Sequence, residues 1–272
     1  MIIETDCGHD ADDAFTICYL VAAGVKPSTI FVTPGDLDQI ATVRFLCDEL
    51  NLKIPIGYSK KSEKLSSGSV HHDILKKYGK PLTAEGDDFG CNIQSEGDWF
   101  IIGPPKSLGQ KDNYPDKMTM QGGFLPYKFG NPKIRLEKFE NLDWCPSFNP
   151  NGAVKETQKL AAAPIKTKRF CGKNVCHSVL FDKTHLAPLK PNSRAAEIFV
   201  ELAELYFQKH ENKKFHDPVA AVCHLHPEIG TWIKGNPVRT KNGWTTELDE
   251  TGSFILADLD YNQFWERIYT FS

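Results

Sequence analysis

The sequence predicts a single-domain α/β protein whose open, mostly parallel β-sheet is covered by helices on both faces, as in a Rossmann-like core. In the first sixty residues, short β-branched apolar runs alternate with longer segments of helical periodicity, which is typical of a parallel sheet with crossover helices. A length of 272 residues with 40% hydrophobic residues suits a globular protein with a sizeable core. No internal repeat or linker divides the chain, so we expect one domain over residues 1–272.

The N-terminal region shows this alternation most clearly. A buried strand is predicted at residues 1–5, and the helical segment that follows ends at Gly24. The pattern then predicts a strand over residues 28–35, a helix over 38–50 and a strand over 53–58.

The pattern is less regular farther along the chain. Residues 60–97 are polar and contain several glycines, which predicts a loop-rich segment of the kind that often serves as a lid or binding loop. The C-terminal region predicts a hairpin centred on residues 241–243 and a further strand. Between these regions the sequence predicts strands over 98–105 and 116–124, helices over 151–163, 192–210 and 217–227, and a strand or strand end over 175–182.

Charge and composition argue against several classes of partner. The formal net charge of -3 provides no basic field for nucleic acid, and we interpret lysine pairs such as Lys213–Lys214 as solvated. No apolar run is long enough to span a membrane, so we expect no membrane partner. The N-terminus lacks the basic and apolar regions of a secretory signal, which predicts a cytoplasmic protein. Eight cysteines without a CxxC pair are expected to be free thiols.

A dense group of carboxylates, ETDCGHDADDAF, begins where the first strand should end. Asp6 is expected at the strand's carboxyl end, and Asp12 and Asp13 at the start of the next helix, which is where open parallel sheets bind ligands. Helix capping accounts for one or two of these acids, whereas a hard cation relieves the repulsion among the rest. Oxygen ligands favour Ca²⁺ or Mg²⁺ over zinc. The motifs of haloacid-dehalogenase-type phosphatases and of EF-hands both fit this spacing poorly.

The same stretch resembles the opening of the inosine–uridine-preferring nucleoside hydrolases, D-[TC]-D-x-G-x-D-D-A, in its longer variant, with Glu4 in place of the first Asp. Further segments resemble other motifs of that family in the same order, up to residue 230, and the residues beyond carry no matched motif. The matching segments are VTPGD (32–36), FIIGPPKSL (100–108), MQGGF (120–124), Gly130-Asn131, PSFNPNGAVKETQKL (146–160), NVCHSVL (174–180) and FHDPVAAVCHLHP (215–227).

The resemblance implies Ca²⁺-dependent hydrolysis of the N-glycosidic bond of a nucleoside or a nucleoside derivative. By the resemblance, Asp6 is both a metal ligand and the base that activates a water molecule, and His216 donates a proton toward the leaving base. The resemblance implies that the other metal ligands are Asp13, Asp217, the backbone carbonyl of Ile102 and, as an open candidate, Asp10.

The implied substrate contacts include two departures from the family. Ser147 replaces the Glu that grips the ribose 5′-hydroxyl, so we expect a sugar that is 5′-deoxy, phosphorylated or otherwise substituted at this position. Asp36 replaces an Asn near the site. By the resemblance, Asp12 binds the 2′-hydroxyl. The remaining candidates are the sugar-binding amides of Asn131 and Asn149, His72 near the base, and Trp99, Trp144 and Phe148, which either stack on the base or belong to the core.

Two other functions stay open at this point. A protein of the same fold could bind nucleosides without turnover, given Ser147 and Asp36, and the acidic rim could serve a metal-dependent phosphatase. The resemblance also implies a homodimer or homotetramer that acts on a small nucleoside-type molecule.

Overall fold

A central β-sheet organises the protein, and a two-stranded ribbon accompanies it. The computed structural model describes residues 1–8, 10–60, 62–66, 69–86, 97–110 and 113–271. In this part of the chain the strands are β1 (Ile2–Thr5), β2 (Thr29–Val32), β3 (Ile56–Tyr58), β4 (Asp98–Ile101), β5 (Lys117–Gln121), β6 (Thr167–Cys171), β7 (Leu180–Asp182), β8 (Asn212–Lys214), β9 (Gly230–Arg239), β10 (Trp244–Leu248) and β11 (Ser253–Leu259). The α-helices are α1 (Asp12–Ala22), α2 (Leu37–Glu49), α3 (Val70–Lys77), α4 (Phe148–Gly152), α5 (Val154–Ala162), α6 (Lys173–Cys176), α7 (Arg194–Tyr206), α8 (Asp217–Leu225) and α9 (Tyr261–Thr270).

The central sheet, as far as the structure describes it, has nine strands in the order β10-β9-β11-β6-β5-β4-β1-β2-β3. Neighbouring strands from β11 to β3 are parallel. At one side of the sheet, β9 pairs antiparallel with both β11 and β10. β1 therefore lies inside the sheet, with the carboxyl ends of β4 and β2 beside its own. This arrangement confirms the predicted open, mostly parallel sheet in a single domain.

Hydrophobic cores cover both faces of the sheet. Successive side chains of a strand point to opposite faces, and in β1 Ile3 joins a large core with residues of α1, α2, α7 and α8. Its neighbour Ile2 joins a second core that contains Trp99, Met118 and Leu160, the last contributed by α5. The helices therefore pack on both faces, as the sequence predicts.

The helices near the site begin with signals that are readable in the sequence. The Ser193 side chain accepts a hydrogen bond of 3.2 Å from a backbone N–H in the first turn of α7. Helix α8 begins at Asp217 with Pro218 in its first turn, where the missing N–H of proline has no helical partner to lose. Asp12 and Asp13 occupy the first turn of α1, where the helix dipole favours negative charge.

Other elements correct the sequence prediction. Residues 60–97 contain helix α3 in addition to loop, because Val70, Ile74 and Leu75 recur on one buried helical face. Helix α9 follows the last strand, where only strand was expected, and the Asp260 side chain caps it by accepting a hydrogen bond of 3.0 Å from a backbone N–H.

Strands β6 and β8 are additions to the predicted elements. β6 has the sequence TKRFC and β8 the sequence NKK, so basic and polar residues predominate in both and neither shows an apolar strand pattern. The segment 175–182 contains the end of α6 and then strand β7, which agrees with a strand end. The hairpin predicted around residues 241–243 is confirmed by the antiparallel pairing of β9 with β10.

No helix among the described residues is long and apolar enough to cross a membrane. The seven cysteines in the described residues are free and buried, as expected. Cys91 lies outside the described residues, and so does His9 of the acidic stretch.

Candidate functional site

A cavity of about 370 Å³ opens at the carboxyl ends of the central strands. Asp6, Ile102 and Gln121 line it from the ends of β1, β4 and β5. The first turns of α1 and α8 also line it, with Asp12, Asp13 and Asp217. The parallel arrangement of β1, β4 and β5 thus brings the acidic stretch and the His216-Asp217-Pro218 segment to the same end of the sheet.

Buried carboxylates form a tight group in this cavity. One ligand oxygen of each of Asp12, Asp13 and Asp217 lies within 4.8 Å of the others, and the three side chains are buried. Thr5 Oγ1 donates a hydrogen bond to Asp13 Oδ1. Asp6 lines the same cavity and is 8% exposed. The structure therefore brings together Asp6, Asp13 and Asp217, three of the side chains that the resemblance implies as metal ligands.

Burial and mutual repulsion disfavour the charged forms of this group. Burial, followed by the charge of Asp12, raises the pKa of Asp6 to about 8. Burial and then neighbouring aspartates raise the pKa values of Asp13 and Asp217 well above the ordinary range. A hard cation would offset both effects, because carboxylate and carbonyl oxygens are its preferred ligands. The donor set, which includes the Ile102 residue at the same cavity, therefore fits a hard divalent cation.

A buried lysine compensates part of the negative charge. Lys213 Nζ lies 3.1 Å from Asp12 Oδ1 and 2.5 Å from Asp10 Oδ2. Burial acts to raise the pKa of Asp12, but Lys213 and His216 hold it below its ordinary value. Lys213 is 5% exposed, so the interpretation of the Lys213–Lys214 pair as solvated was wrong for this residue. The middle residue of β8 faces inward because side chains alternate along a strand.

Asp10 differs from the other aspartates of the motif. Its side chain is 45% exposed, and it is outside the tight group of three carboxylates that the described residues form. Asp10 Oδ1 accepts a hydrogen bond of 2.7 Å from the backbone N–H of Ala11, while Oδ2 faces Lys213. Asp10 therefore holds Lys213 at the rim of the cavity.

His216 stands between the carboxylates and a second histidine. Its Nδ1 lies 3.4 Å from Asp12 Oδ2, and its ring packs edge-on against His177 with the centroids 4.8 Å apart. The buried Nε2 atom of His216 has no hydrogen-bond partner in the described structure. Since this residue lines the cavity, Nε2 is an unsatisfied ring nitrogen close to it, on the side of the ring that is not paired with Asp12.

Asn149 and Ser147 approach from the start of α4. Asn149 Nδ2 donates hydrogen bonds of 2.9 Å to the Ile102 carbonyl and to Gln121 Oε1. Ser147 Oγ accepts a hydrogen bond of 3.0 Å from the backbone N–H of Gly123. Both side chains are buried at the cavity. Asn149 thereby orients the carbonyl that the resemblance implies as a metal ligand.

Basic side chains line the same cavity, and sequence reasoning missed them. Lys173 follows the end of β6, Lys214 ends β8, and His177 follows α6. Their sequence signal is weak, because the lysines are scattered and β6 was not predicted. The position of Lys214 two residues before His216 is the one pointer that the sequence offers.

The remaining predicted substrate contacts lie farther from this cavity. Asn131 is exposed and is absent from the described residues that line it. Asp36 lines a neighbouring cavity of about 260 Å³, which shares Asp6 and Phe148 with the first. His72 belongs to helix α3, not to a loop as expected, and its Nε2 lies 2.7 Å from Asp38 Oδ2.

The three aromatic candidates have separate environments. Phe148 lines both cavities and is 61% exposed. Trp99 is fully buried in the second core, in line with a core role. Trp144 is 38% exposed and is not among the described cavity-lining residues. Phe148 is thus the aromatic candidate positioned to contact a molecule in the cavity.

Glu4, which stands where the family motif begins with Asp, makes hydrogen bonds that hold together the chain segments next to the site. It accepts hydrogen bonds from the backbone N–H groups of Ser107 at 2.6 Å and Leu108 at 3.0 Å, and from Thr33 Oγ1 at 2.8 Å. Burial raises its pKa to about 7 despite these bonds. Glu4 therefore ties β1 to the segments that follow β2 and β4.

Comparison with known sequences leaves the family open. No family model matches the chain. A protein of Aquifex aeolicus, described as uncharacterized, is 27% identical over 254 residues, which cover 88% of this chain and 86% of that protein.

Comparison with solved structures is more informative. A plant nucleoside hydrolase has a TM-score of 0.72 at 14% identity, with 99% of this chain and 97% of that one covered. The inosine-uridine preferring nucleoside hydrolase of Bacillus anthracis has a TM-score of 0.71 at 13% identity and the same coverage. A purine-preferring ribonucleoside hydrolase of Gardnerella vaginalis has a TM-score of 0.69 at 14% identity, over 99% and 96% of the chains. The protein therefore has a nucleoside hydrolase-like fold over nearly its whole length.

Proposed function

We propose that this protein hydrolyses the N-glycosidic bond of a nucleoside or nucleoside derivative and releases the free base and the sugar. The observation that carries the proposal is the convergence of Asp6, Asp13, Asp217 and Asn149 in one cavity, at the strand ends of a nucleoside hydrolase-like fold. Fold alone does not specify an activity, so the proposal rests on these side chains.

Asp6, Asp13, Asp217 and the Ile102 carbonyl would hold the cation, and we expect Ca²⁺ because the donors are all oxygens. Bound Ca²⁺ would supply Lewis-acid activation of a water molecule and anchor sugar hydroxyls. The buried, repelling carboxylates support this assignment, since their charge lacks full compensation in the protein.

In the proposed reaction, Asp6 takes a proton from the water molecule whose oxygen forms a new bond to the anomeric carbon. The bond between that carbon and the base nitrogen breaks, and its electron pair goes to the base. His216 then donates a proton to the base from Nε2, the ring nitrogen that has no hydrogen-bond partner among the described residues. The sugar thus carries the hydroxyl of the water molecule and the base carries the proton from His216, and proton exchange with solvent then removes the proton held by Asp6 and reprotonates His216.

Neighbouring polar groups would position the sugar. Asp12 and Asn149 line the cavity and are held by several protein hydrogen bonds. Rigid acceptors and donors of this kind orient hydroxyl groups at small entropic cost. Phe148 lies at the mouth of the cavity, where an aromatic ring can cover a base.

The test measures release of free base from a panel of purine and pyrimidine nucleosides with added Ca²⁺. We expect release that chelator abolishes and that Asp6→Asn lowers by at least about 10³-fold, because the base in the reaction is lost. Asp116→Asn, at the exposed amino end of β5, is the matched control and should retain activity. Release of inorganic phosphate from phosphorylated substrates without base release would instead favour the phosphatase. Binding of nucleosides without any release would favour a binding protein.

A further inference from the structure

Basic side chains lie beside the group of aspartates in the same cavity. Lys173 and Lys214 line it together with His177, and Lys138 Nζ lies 2.6 Å from His177 Nδ1. Burial and repulsion by Lys214 and Lys173 lower the pKa of Lys138. Burial and repulsion by His216 and the three lysines lower the pKa of His177 to about 2. These groups therefore lie close enough to repel one another.

The two cavity lysines have no protein counter-ion in the part of the chain that the structure describes. Neither Lys173 nor Lys214 forms an ion pair there, whereas the neighbouring Lys213 is held by Asp10 and Asp12. Both free lysines are half-buried. Half-buried ammonium groups that face a cavity and repel their neighbours are suited to binding an anion.

The backbone of Gly123 connects this positive charge to Ser147. Gly123 donates its N–H to Ser147 Oγ at 3.0 Å, and its carbonyl accepts a hydrogen bond of 3.2 Å from the backbone N–H of Lys173. Ser147 stands where the resemblance implies a Glu that grips the sugar's 5′-hydroxyl. At this place the chain thus has a neutral side chain instead of a carboxylate, in the cavity that Lys173 also lines.

We propose that the substrate carries a phosphate on the 5′ position of its sugar, bound by Lys173 and Lys214. This inference rests on the proposed function and specifies its substrate class, a nucleoside 5′-monophosphate. Water adds its hydroxyl to the anomeric carbon, the carbon–nitrogen bond breaks, and the base leaves with a proton. The products are the free base and the sugar 5-phosphate, with the phosphate ester intact.

The first experiment compares base release from nucleosides, their 5′-monophosphates and their 3′-monophosphates in the presence of Ca²⁺. We expect kcat/KM for the 5′-monophosphate to exceed that for the nucleoside by about tenfold or more, because charge-assisted hydrogen bonds have this strength. Equal or faster hydrolysis of the plain nucleoside would overturn the proposal. Equal preference for the 3′-monophosphate would overturn the assignment to the 5′ position.

Variants test the two lysines directly. Lys173→Gln combined with Lys214→Gln should lower the ratio of kcat/KM for the 5′-monophosphate to that for the nucleoside by about tenfold. Lys26→Gln is the matched control, since Lys26 is exposed before the amino end of β2, away from the cavity. An unchanged ratio in the double variant would contradict the assignment of the lysines.

A binding measurement separates this inference from the proposed reaction. Calorimetry with ribose 5-phosphate and with ribose needs no turnover, and we expect the phosphate to bind about tenfold more tightly. Equal affinity for the two sugars would overturn the inference even in an active enzyme. If ribose 5-phosphate binds more tightly than ribose but no substrate releases its base, the result supports the anion site and refutes the proposed hydrolysis.

Discussion

Lys213 Nζ lies 3.1 Å from Asp12 Oδ1, and both side chains are almost fully buried beside the cavity. This pair places one positive charge within a group of aspartates that otherwise repel one another. Lys213 therefore both stabilises the folded protein and holds Asp12 in place at the site.

Lys213→Met should destabilise the protein by about 3–5 kcal/mol, the usual result of removing one partner from a buried ion pair. The change leaves Asp12 charged and buried without its counter-ion. Urea unfolding followed by circular dichroism measures the loss. Lys26→Met, at an exposed position, controls for the chemistry of the change. A free energy of unfolding equal to that of the natural protein would show that Asp12 does not depend on Lys213.

Ca²⁺ should stabilise the natural protein, by about 2.7 kcal/mol when its concentration is one hundred times Kd. Asp217→Asn should remove most of this stabilisation, because it takes away one carboxylate of the buried group. Without Ca²⁺, the same variant should be at least as stable as the natural protein, since repulsion among the aspartates is reduced.

The measurement is thermal unfolding with chelator and with increasing Ca²⁺. Asp116→Asn removes an exposed carboxylate at the opposite end of the strands and should respond to Ca²⁺ like the natural protein. If chelator and Ca²⁺ give the same Tm for the natural protein, the cavity does not bind this ion.

Gly103→Ala should lower both stability and Ca²⁺ affinity. A Cβ atom at this position would lie 2.6 Å from the backbone nitrogen of Asp6 and 2.7 Å from the carbonyl carbon of Thr5. The ends of β1 and β4 would have to separate, and Asp6 would move with them. Calorimetric titration with Ca²⁺ detects the change in affinity.

Gly24→Ala is a useful comparison for this variant. Nothing lies within 4 Å of a Cβ atom at Gly24, but its φ of +84° disfavours alanine. It should lose about 1–2 kcal/mol of stability through the backbone alone and keep its Ca²⁺ affinity. Identical Ca²⁺ affinities for both variants would show that the contact between β1 and β4 tolerates a methyl group.

His224, which lies far from the cavity, should make the stability of the protein depend on pH. Its ring is buried, with Nε2 3.0 Å from Asp98 Oδ2 and Nδ1 2.8 Å from Thr119 Oγ1. Burial lowers its pKa below the ordinary 6.5, although Asp98 acts in the opposite direction. Below pH 6.5 the unfolded chain therefore binds more protons than the folded protein, so this contribution to stability is lost as the pH falls.

We expect the contribution of His224 to the free energy of unfolding to decrease from pH 7 to pH 5, by at most about 1.4 kcal/mol per pH unit, whereas Glu4 and Asp6, whose pKa values are raised by burial, act in the opposite direction. His224→Gln should reduce the slope. His210→Gln, at an exposed position, should leave it unchanged. Denaturant titrations at several pH values measure both slopes, and equal slopes for the two variants would refute the role of His224.

The acidic motif could be interpreted from the sequence because the residues that form it are neighbours along the chain. A buried strand, a polar turn and the first turn of a helix place Asp6, Asp12 and Asp13 at one strand end wherever that strand lies in a sheet. The same holds for Asp217 at the start of α8. Local periodicity and helix-start signals are properties of a dozen residues, so a sequence displays them.

The elements that were missed lack such local signals. β6 begins with Thr167, Lys168 and Arg169, yet it pairs with β5 and β11 inside the sheet. Lys168, one of its residues, is accommodated because its Nζ donates to the backbone carbonyl of Ala163 at 2.8 Å. Its strand conformation therefore depends on neighbours from other parts of the chain.

By itself, the sequence determined the alternation of strands and helices and the concentration of acids at one strand end. The tertiary structure decided which charges are compensated and which are free. Asp10 meets Lys213 across 203 positions of the chain, while Lys173 and Lys214 enter the same cavity without a counter-ion among the described residues. The reason is physical: periodicity is set by nearby residues, whereas charge pairing depends on distances in space that only the order of the strands establishes.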